Sequence, residues 1–283
     1  MNSGISGIKL RQNTGFVNAY KMKFQTTTPY IDLSPFVKSV MVFESENDTL
    51  KTVLPFFADG FPGIMYHKTP NGLMVNPHKK VMPELFIYGQ TIEPIEIEIF
   101  GKYEIIVFQL YPFTLNSFFG IQARSINDNC YDLTKLEEDN IKRTLELLSA
   151  NRNSAERIDS ICSLLRELLR QKKHHFDPST KRAIEKILES KGQLNLNHIA
   201  NELHISKRTF ERNFLFQTGL LPKQFAKIIQ FQNSLSQLTI KDYKILTDVV
   251  YENGYADQSH FIKVFKSFTG KTPKKFTKMF SKQ

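Results

Sequence analysis

The sequence predicts an α+β chain of several domains, with β structure first and an all-α domain last. Three observations carry this reading. A stretch of helical pattern occurs twice near the C-terminus, apolar and charged residues alternate in the first half, and the positive charge sits almost wholly in the second half. The 283 residues suffice for two cores. The hydrophobic fraction of 41% is that of a globular protein. Of the formal charge of +10, residues 176–283 hold +9, with 18 Lys+Arg against 9 Asp+Glu, and residues 1–175 hold +1. A basic region of this kind fits a polyanion as partner.

Residues 1–135 read as a β domain. Ile95-Glu96-Ile97-Glu98-Ile99 alternates apolar and charged, the mark of a half-buried strand. Tyr103 to Tyr111 is β-branched and aromatic and too short for a buried helix. Gly101-Lys102 between them predicts a tight hairpin. Weaker strand candidates are Lys21 to Thr27, Phe36 to Phe43, Thr52 to Phe57, Gly63 to His67 and Glu84 to Tyr88. Pro and Gly punctuate the gaps, and short strands so spaced predict a barrel or sandwich, cupin-like in outline. The aromatics Phe56, Phe57, Tyr66, Phe86 and Phe108 are expected in the core more than in a pocket lining. Phe113 to Phe119 reads as a short helix or turn.

From Leu136 the apolar period changes to that of helices, over a connector at 136–175. Ile141, Leu145 and Leu148 fit one helix. Ser154 reads as the N-cap of a second, whose stripe includes Ile158, Ile161, Leu164, Leu165, Leu168 and Leu169. The stripe has three readings: it covers the β domain, packs on the preceding helix, or forms a homodimer interface through Ile158, Ile161, Leu165 and Leu168. Lys172-Lys173-His174-His175-Phe176-Asp177-Pro178 breaks the pattern and reads as a linker. A helix at 179–190 then opens the domain 176–283.

Within that domain Phe210 to Lys227 recurs 51 positions later as Phe261 to Lys278. Phe210, Phe214, Thr218, Gly219, Pro222, Lys223, Phe225 and Lys227 fall on Phe261, Phe265, Thr269, Gly270, Pro273, Lys274, Phe276 and Lys278. Composition alone would match roughly one such position, so a structural unit is duplicated. The Phe pair at i, i+4 lies on one helix face. The glycines suit the end of that helix and the prolines the first turn of the next. A short helix ends before each copy, and Ser206 or Asp257 then serves as N-cap. This is the helix-turn-helix pattern, over about 194–218 and 244–269. Residues 223–238 read as a helix joining the two units.

With these residues in view, 181–280 resembles the DNA-binding domain of the AraC/XylS family of bacterial transcription regulators. The second unit carries the stronger signature, Gly254-Tyr255-Ala256-Asp257-Gln258-Ser259-His260-Phe261, then Phe265-Lys266, then Gly270-Lys271-Thr272-Pro273. Ile199-Ala200, Ser206-Lys207-Arg208 and Arg212 match in the first. The chain departs from the family with Val250 for Ala, Leu215 for Lys and Gln230 for Arg. The first 135 residues resemble the all-β sensory or regulatory domains that precede such domains, through Pro55, Asp59-Gly60, Gly89-Gln90 and Phe108-Gln109-Leu110-Tyr111-Pro112. The resemblance implies a cytoplasmic transcription regulator. Its implied partners are double-stranded DNA, a small-molecule effector in the N-terminal domain and RNA polymerase.

On the first recognition helix the resemblance places Arg208, Glu211 and Arg212 toward bases, and on the second Gln258, Ser259 and Lys263. The Arg fork fits O6 and N7 of guanine, and Gln fits adenine. Glu211 accepts from cytosine N4 or pairs with a neighbouring Lys. Lys207, Lys223, Lys274 and Lys275 are expected at phosphates, the last three beside helix N-termini whose free N–H groups favour anions. Two recognition helices on one chain are expected about one DNA turn apart, roughly 34 Å.

Alternatives are an architectural DNA binder without sensing, or a cupin-like enzyme fused to a DNA-binding domain. An enzyme lacks support: His67 and His78 are eleven apart, no His-x-His occurs, and no Ser or Cys nucleophile is paired with a His. No catalytic residue, metal or cofactor is expected. Cys130 and Cys162 read as reduced thiols. Met1 to Arg11 lacks a signal-peptide core, and no run reaches the roughly 18 apolar residues of a membrane span.

Overall fold

The computed structural model describes residues 23–136, 138–171 and 177–280. Among these residues ten strands form two antiparallel sheets. One runs in the order β1 (Lys23–Thr27), β2 (Val37–Ser45), β9 (Tyr103–Leu110), β4 (Gly63–Lys68), β7 (Leu85–Tyr88) and β10 (Cys130–Asp132). The other runs β3 (Lys51–Phe56), β8 (Ile95–Phe100), β5 (Leu73–Asn76) and β6 (Lys80–Val81). Of the strand expected at Lys21 to Thr27, Lys21 and Met22 lie outside the described residues.

Alternation in β8 does what its pattern dictates. Ile97 and Ile99 are buried and Glu96 is exposed. The hairpin expected at Gly101-Lys102 is absent, because β8 pairs with β3 and β5 while β9 pairs with β2 and β4. The turn instead crosses from one sheet to the other. It places Ile105 and Val107 in one inner core with Ile97, Ile99, Leu54 and Leu73. The structure is thus a two-sheet sandwich.

β4 is buried along Gly63–His67, as is most of β9, since the larger sheet is covered on both faces. Its outer face carries Val40, Ile64, Tyr66, Ile106 and Phe108. Helices α1 (Thr114–Phe119), α2 (Asp139–Ala150) and α3 (Ser154–Gln171) cover it. Ser154 is the first helical residue rather than the cap: Asn153 Oδ1 accepts from Glu156 N at 2.9 Å and caps α3.

The stripe on α3 is core of this chain. Ile161 and Leu165 are 0% exposed and Leu168 2%, packed with the outer face of the sheet, and Ile158 is half-buried beside them. Ile161, Leu165 and Leu168 thus keep almost no exposed surface for a dimer, whereas half-buried Ile158 keeps some. Arg157 anchors the same helix, with Nη1 2.5 Å from Glu104 Oε2 and further bonds to Leu148 O and Asn151 O. Burial raises the Glu104 carboxyl above its ordinary range, and Arg157 opposes that rise.

The C-terminal helices are α4 (Pro178–Glu189), α5 (Leu196–Glu202), α6 (Lys207–Thr218), α7 (Pro222–Ile240), α8 (Leu246–Glu252), α9 (Gln258–Thr269) and α10 (Pro273–Phe280). Most of the linker read at 172–178 lies outside the described residues. Asp177 and Pro178 belong to α4 instead: Asp177 Oδ1 accepts from Ser179 N at 2.9 Å, and Pro178 occupies the first turn.

The two halves share packing. Ala58, Phe61 and Phe113 from the sandwich sit in one cluster with Phe214, Phe225, Ile229 and Phe265. Gln232 Nε2 on α7 donates to Ala58 O at 2.5 Å, and Asn127 Nδ2 donates to Gly219 O at 2.9 Å.

Candidate nucleic-acid interface

The duplicated residues build the same object twice. Ser206 Oγ accepts from Thr209 N at 3.2 Å and opens α6, and Asp257 Oδ1 accepts from His260 N at 2.7 Å and opens α9. Phe210 and Phe214 are buried with ring centroids 5.8 Å apart, and Phe261 and Phe265 with centroids 5.6 Å apart. The second Phe of each pair meets the Phe of the next helix, Phe225 at 5.7 Å and Phe276 at 5.3 Å. Thr218 Oγ1 donates to Phe214 O, and Thr269 Oγ1 to Phe265 O, both at 2.8 Å. Gly219 and Gly270 end the helices at φ 77° and 69°, where a side chain would be strained.

With the Phe pairs turned inward, the polar side chains of each helix face out. Arg208 and Arg212 are exposed and Glu211 is half-buried. Gln258, Ser259 and Lys263 are exposed. Among the described residues no ion pair engages Arg208, Arg212 or Lys263, so their charge is open to an external anion. Lys207, Lys223, Lys274 and Lys275 are also exposed. The two helix starts behind them differ in their caps: Gln224 Oε1 accepts from Leu221 N at 3.0 Å, whereas Thr272 Oγ1 accepts from Lys275 N at 3.4 Å.

Sequence reasoning missed the residues that hold the second unit in place. Gln230 Nε2 donates to Asn253 O and Gly254 O, at 2.8 and 3.1 Å, and so ties α7 to the turn between α8 and α9. Asn253 Nδ2 reaches Gln237 Oε1 at 2.7 Å. The Gln at 230, a loss of charge relative to the family, is thus a brace within the domain. Val250 is buried at 1% exposure in the same cluster.

A second feature lies in the sandwich. A cavity of about 290 Å³ opens between the sheets, with Phe56, Met65, Phe86, Tyr88 and Ile97 among its walls. Lys80 Nζ donates to Asn129 Oδ1 at 2.7 Å beside it, and Cys130 lines it. Phe86 is core, as expected, and also lines the cavity, while Phe56 is a partly buried cavity wall packed against the same core. Tyr66 and Phe108 are core, and Phe57 packs at the junction with the C-terminal helices.

Of the residues behind the N-terminal resemblance, Asp59, Gly60, Gln90 and Gln109 gather at that junction. Gln109 Nε2 donates to Asp59 Oδ2 at 2.6 Å, Phe61 N to Asp59 Oδ1 at 2.9 Å and Gln90 Nε2 to Gly60 O at 3.1 Å. Lys38 Nζ stands 3.5 Å from the Phe61 ring centroid, near Asp59. Desolvation of the ammonium draws the Lys38 amine down to about 8, against the pull of Asp59. Desolvation likewise raises the Asp59 carboxyl. Among the described residues no group of three or more His, Cys, Asp and Glu is placed to hold a metal ion.

Two helix-turn-helix units thus stand in tandem behind a β sandwich. Residues 199–279 match a family described as a helix-turn-helix domain, and residues 25–132 match a domain of unknown function, DUF6597. The chain is 31% identical over 98 residues to the Msm operon regulatory protein of Streptococcus mutans. That match covers 34% of each protein, so the chain spans about a third of the length of this curated relative. The fold is similar to ToxT from Vibrio cholerae, at TM-score 0.45 and 15% identity over 90% of this chain and 98% of that one. It is also similar to the C-terminal domain of AraT, a response regulator from Geobacillus stearothermophilus, at TM-score 0.34 and 21% identity over 36% and 85%. The two family matches fall on different parts of the chain, one on the helix-turn-helix pair and one on the β domain before it. Among the described residues no helix is long and apolar enough to cross a membrane.

Proposed function

We propose that the chain is a sequence-specific, cytoplasmic transcription regulator with no enzymatic activity. It binds double-stranded DNA through α6 and α9 and acts with RNA polymerase. A small molecule with an apolar body controls it through the sandwich cavity. Residues 1–135 serve for regulation, 136–175 as a connector and 176–283 for DNA binding. The observation that carries this is the pair of similarly built helices with exposed Arg208, Arg212 and Lys263, in no ion pair among the described residues, on their outward sides.

Binding sites selected from random DNA by the full-length protein test the reading. Affinity for the selected site is expected to fall about a thousandfold between 50 and 200 mM salt, the loss for some six phosphate contacts. A flat salt response, or equal affinity for random DNA, counts against it.

Reading and gripping separate by mutation. Arg212→Ala and Lys263→Ala are each expected to cost about 1–3 kcal/mol and relax preference at one base position. Lys274→Ala weakens all sequences alike and lowers the salt slope by about 1. A uniform loss in all three variants overturns the division into base readers and phosphate clamps.

A further inference from the structure

Residues 56–61 join three places that are otherwise apart. Phe56 ends β3 and lines the cavity. Phe57, the next residue, meets Phe276 on α10, in the second helix-turn-helix unit, with ring centroids 5.9 Å apart. Neighbouring side chains of an extended segment point to opposite sides, so one turn of backbone carries both contacts. Ala58 O accepts from Gln232 Nε2 on α7. Gly60 lies so close under α7 that a Cβ there would stand 2.8 Å from Phe225 Cε2. Phe61 packs on Phe225 at 6.5 Å, where the first unit meets α7. One short segment therefore touches the cavity, the joining helix and the second unit.

A second wall of the cavity reaches the end of the same segment. Tyr88 pairs with Gly63 across β7 and β4, and a Cβ at Gly63 would stand 2.4 Å from the Tyr88 hydroxyl. The missing side chain makes room for that hydroxyl two residues past Phe61. Asp59 fixes the loop through Phe61 N and Gln109, and burial, with the Asp59 charge added to it, raises the Tyr88 hydroxyl well above its ordinary range.

We propose that residues 56–61 are the coupling element of this protein: occupancy of the cavity displaces Phe56 and Tyr88, and the segment passes that displacement to α7 and α10, changing how the two helix-turn-helix units are held. This rests on the reading of the cavity as the effector site. Filling the cavity favours whichever placement of the loop accommodates the occupant, so the two helical units respond together.

Cys130 supplies a test that needs no knowledge of the effector. It lines the cavity and is half-buried, whereas Cys162 is 1% exposed and its thiol is pushed up to about 12 by burial. Benzyl methanethiosulfonate is the probe. The Cys130 thiolate attacks its divalent sulfur, a disulfide forms, methanesulfinate leaves, and a benzyl group is fixed in the cavity. Full-length protein is expected to take one adduct by mass spectrometry and Cys130→Ser none. Hydrogen exchange in peptides spanning 56–61 and 222–232 is expected to change at least threefold, and affinity for the selected DNA at least fivefold. Phe57→Ala carrying the same adduct, checked for folding by circular dichroism, is expected to change affinity less than twofold.

No adduct at Cys130 overturns the effector reading of the cavity and this inference with it. An adduct that leaves exchange and affinity unchanged overturns the coupling and leaves the cavity reading standing. An equal response in Phe57→Ala overturns the route through residues 56–61, and so does exchange rising throughout the sandwich. The exchange measurement uses no DNA, so failure of the DNA reading shows separately.

Discussion

Leu165→Glu combined with Leu168→Glu unfolds the N-terminal half rather than releasing folded monomers. Both leucines are buried in the cluster that closes the outer face of the larger sheet, at 0% and 2% exposure. Truncating a buried leucine already costs about 2–5 kcal/mol. Each new carboxylate also enters an apolar site. Of the three arginines on the same helix, Arg157 is engaged with Glu104 and Arg166 with Asp32, and Arg170 is exposed with its Nε on Arg166 O. Two such losses approach or exceed the roughly 5–15 kcal/mol that holds a domain together. Circular dichroism is expected to lose its strand signal and its cooperative melt. A variant of normal melting temperature and half the mass by light scattering would instead restore the dimer interface.

Gly219→Ala is expected to cost about twice as much as Gly270→Ala or more, although the two glycines are repeat equivalents with φ of 77° and 69°. Among the described residues a Cβ at Gly270 meets nothing within 4 Å, so only the left-handed backbone is penalised, by about 1–2 kcal/mol. At Gly219 a Cβ would stand 2.9 Å from both Ala123 C and Arg124 N, which are backbone of the sandwich. Either the end of α6 or the turn Ala123–Ile126 must move, and the bond from Asn127 to Gly219 O goes with it. Overpacking adds about 1–3 kcal/mol to the same strain. Urea unfolding of the two variants measures the difference. Equal costs would mean that the sandwich does not press on the first unit.

The contrast between these glycines shows what a sequence discloses. The Phe pairs, the caps Ser206 and Asp257, and the closing glycines are local, set by helix period and by backbone chemistry within a few residues. They were legible, and so were β8 and β9, from alternation and β-branched runs. The crossing turn at Gly101 was not, because a tight turn looks the same whether its strands pair or face each other across a core. β5, β6 and β10, of four, two and three residues, are too short to show a period. The stripe on α3 showed that a face is apolar but not what covers it. Gln230, Asn253 and Lys38 act through partners distant in sequence, and no spacing announces them. Asp59, Gln90 and Gln109 stood out only through resemblance, and their purpose emerged when the fold brought them to one junction.

The close fit at Gly60 also constrains how such a chain can be rebuilt by exchange of parts. Its halves match separate families, which invites treating them as interchangeable modules. Yet Gly60 leaves no room for a side chain under Phe225, and Gly219 leaves none against Ala123. A β domain grafted from elsewhere fits only if it brings a bare backbone to the first place and a matching turn to the second. Recombination between relatives is therefore filtered by two points of contact well away from the outward sides of α6 and α9. The exchanges that survive are those that carry both sides of the seam together.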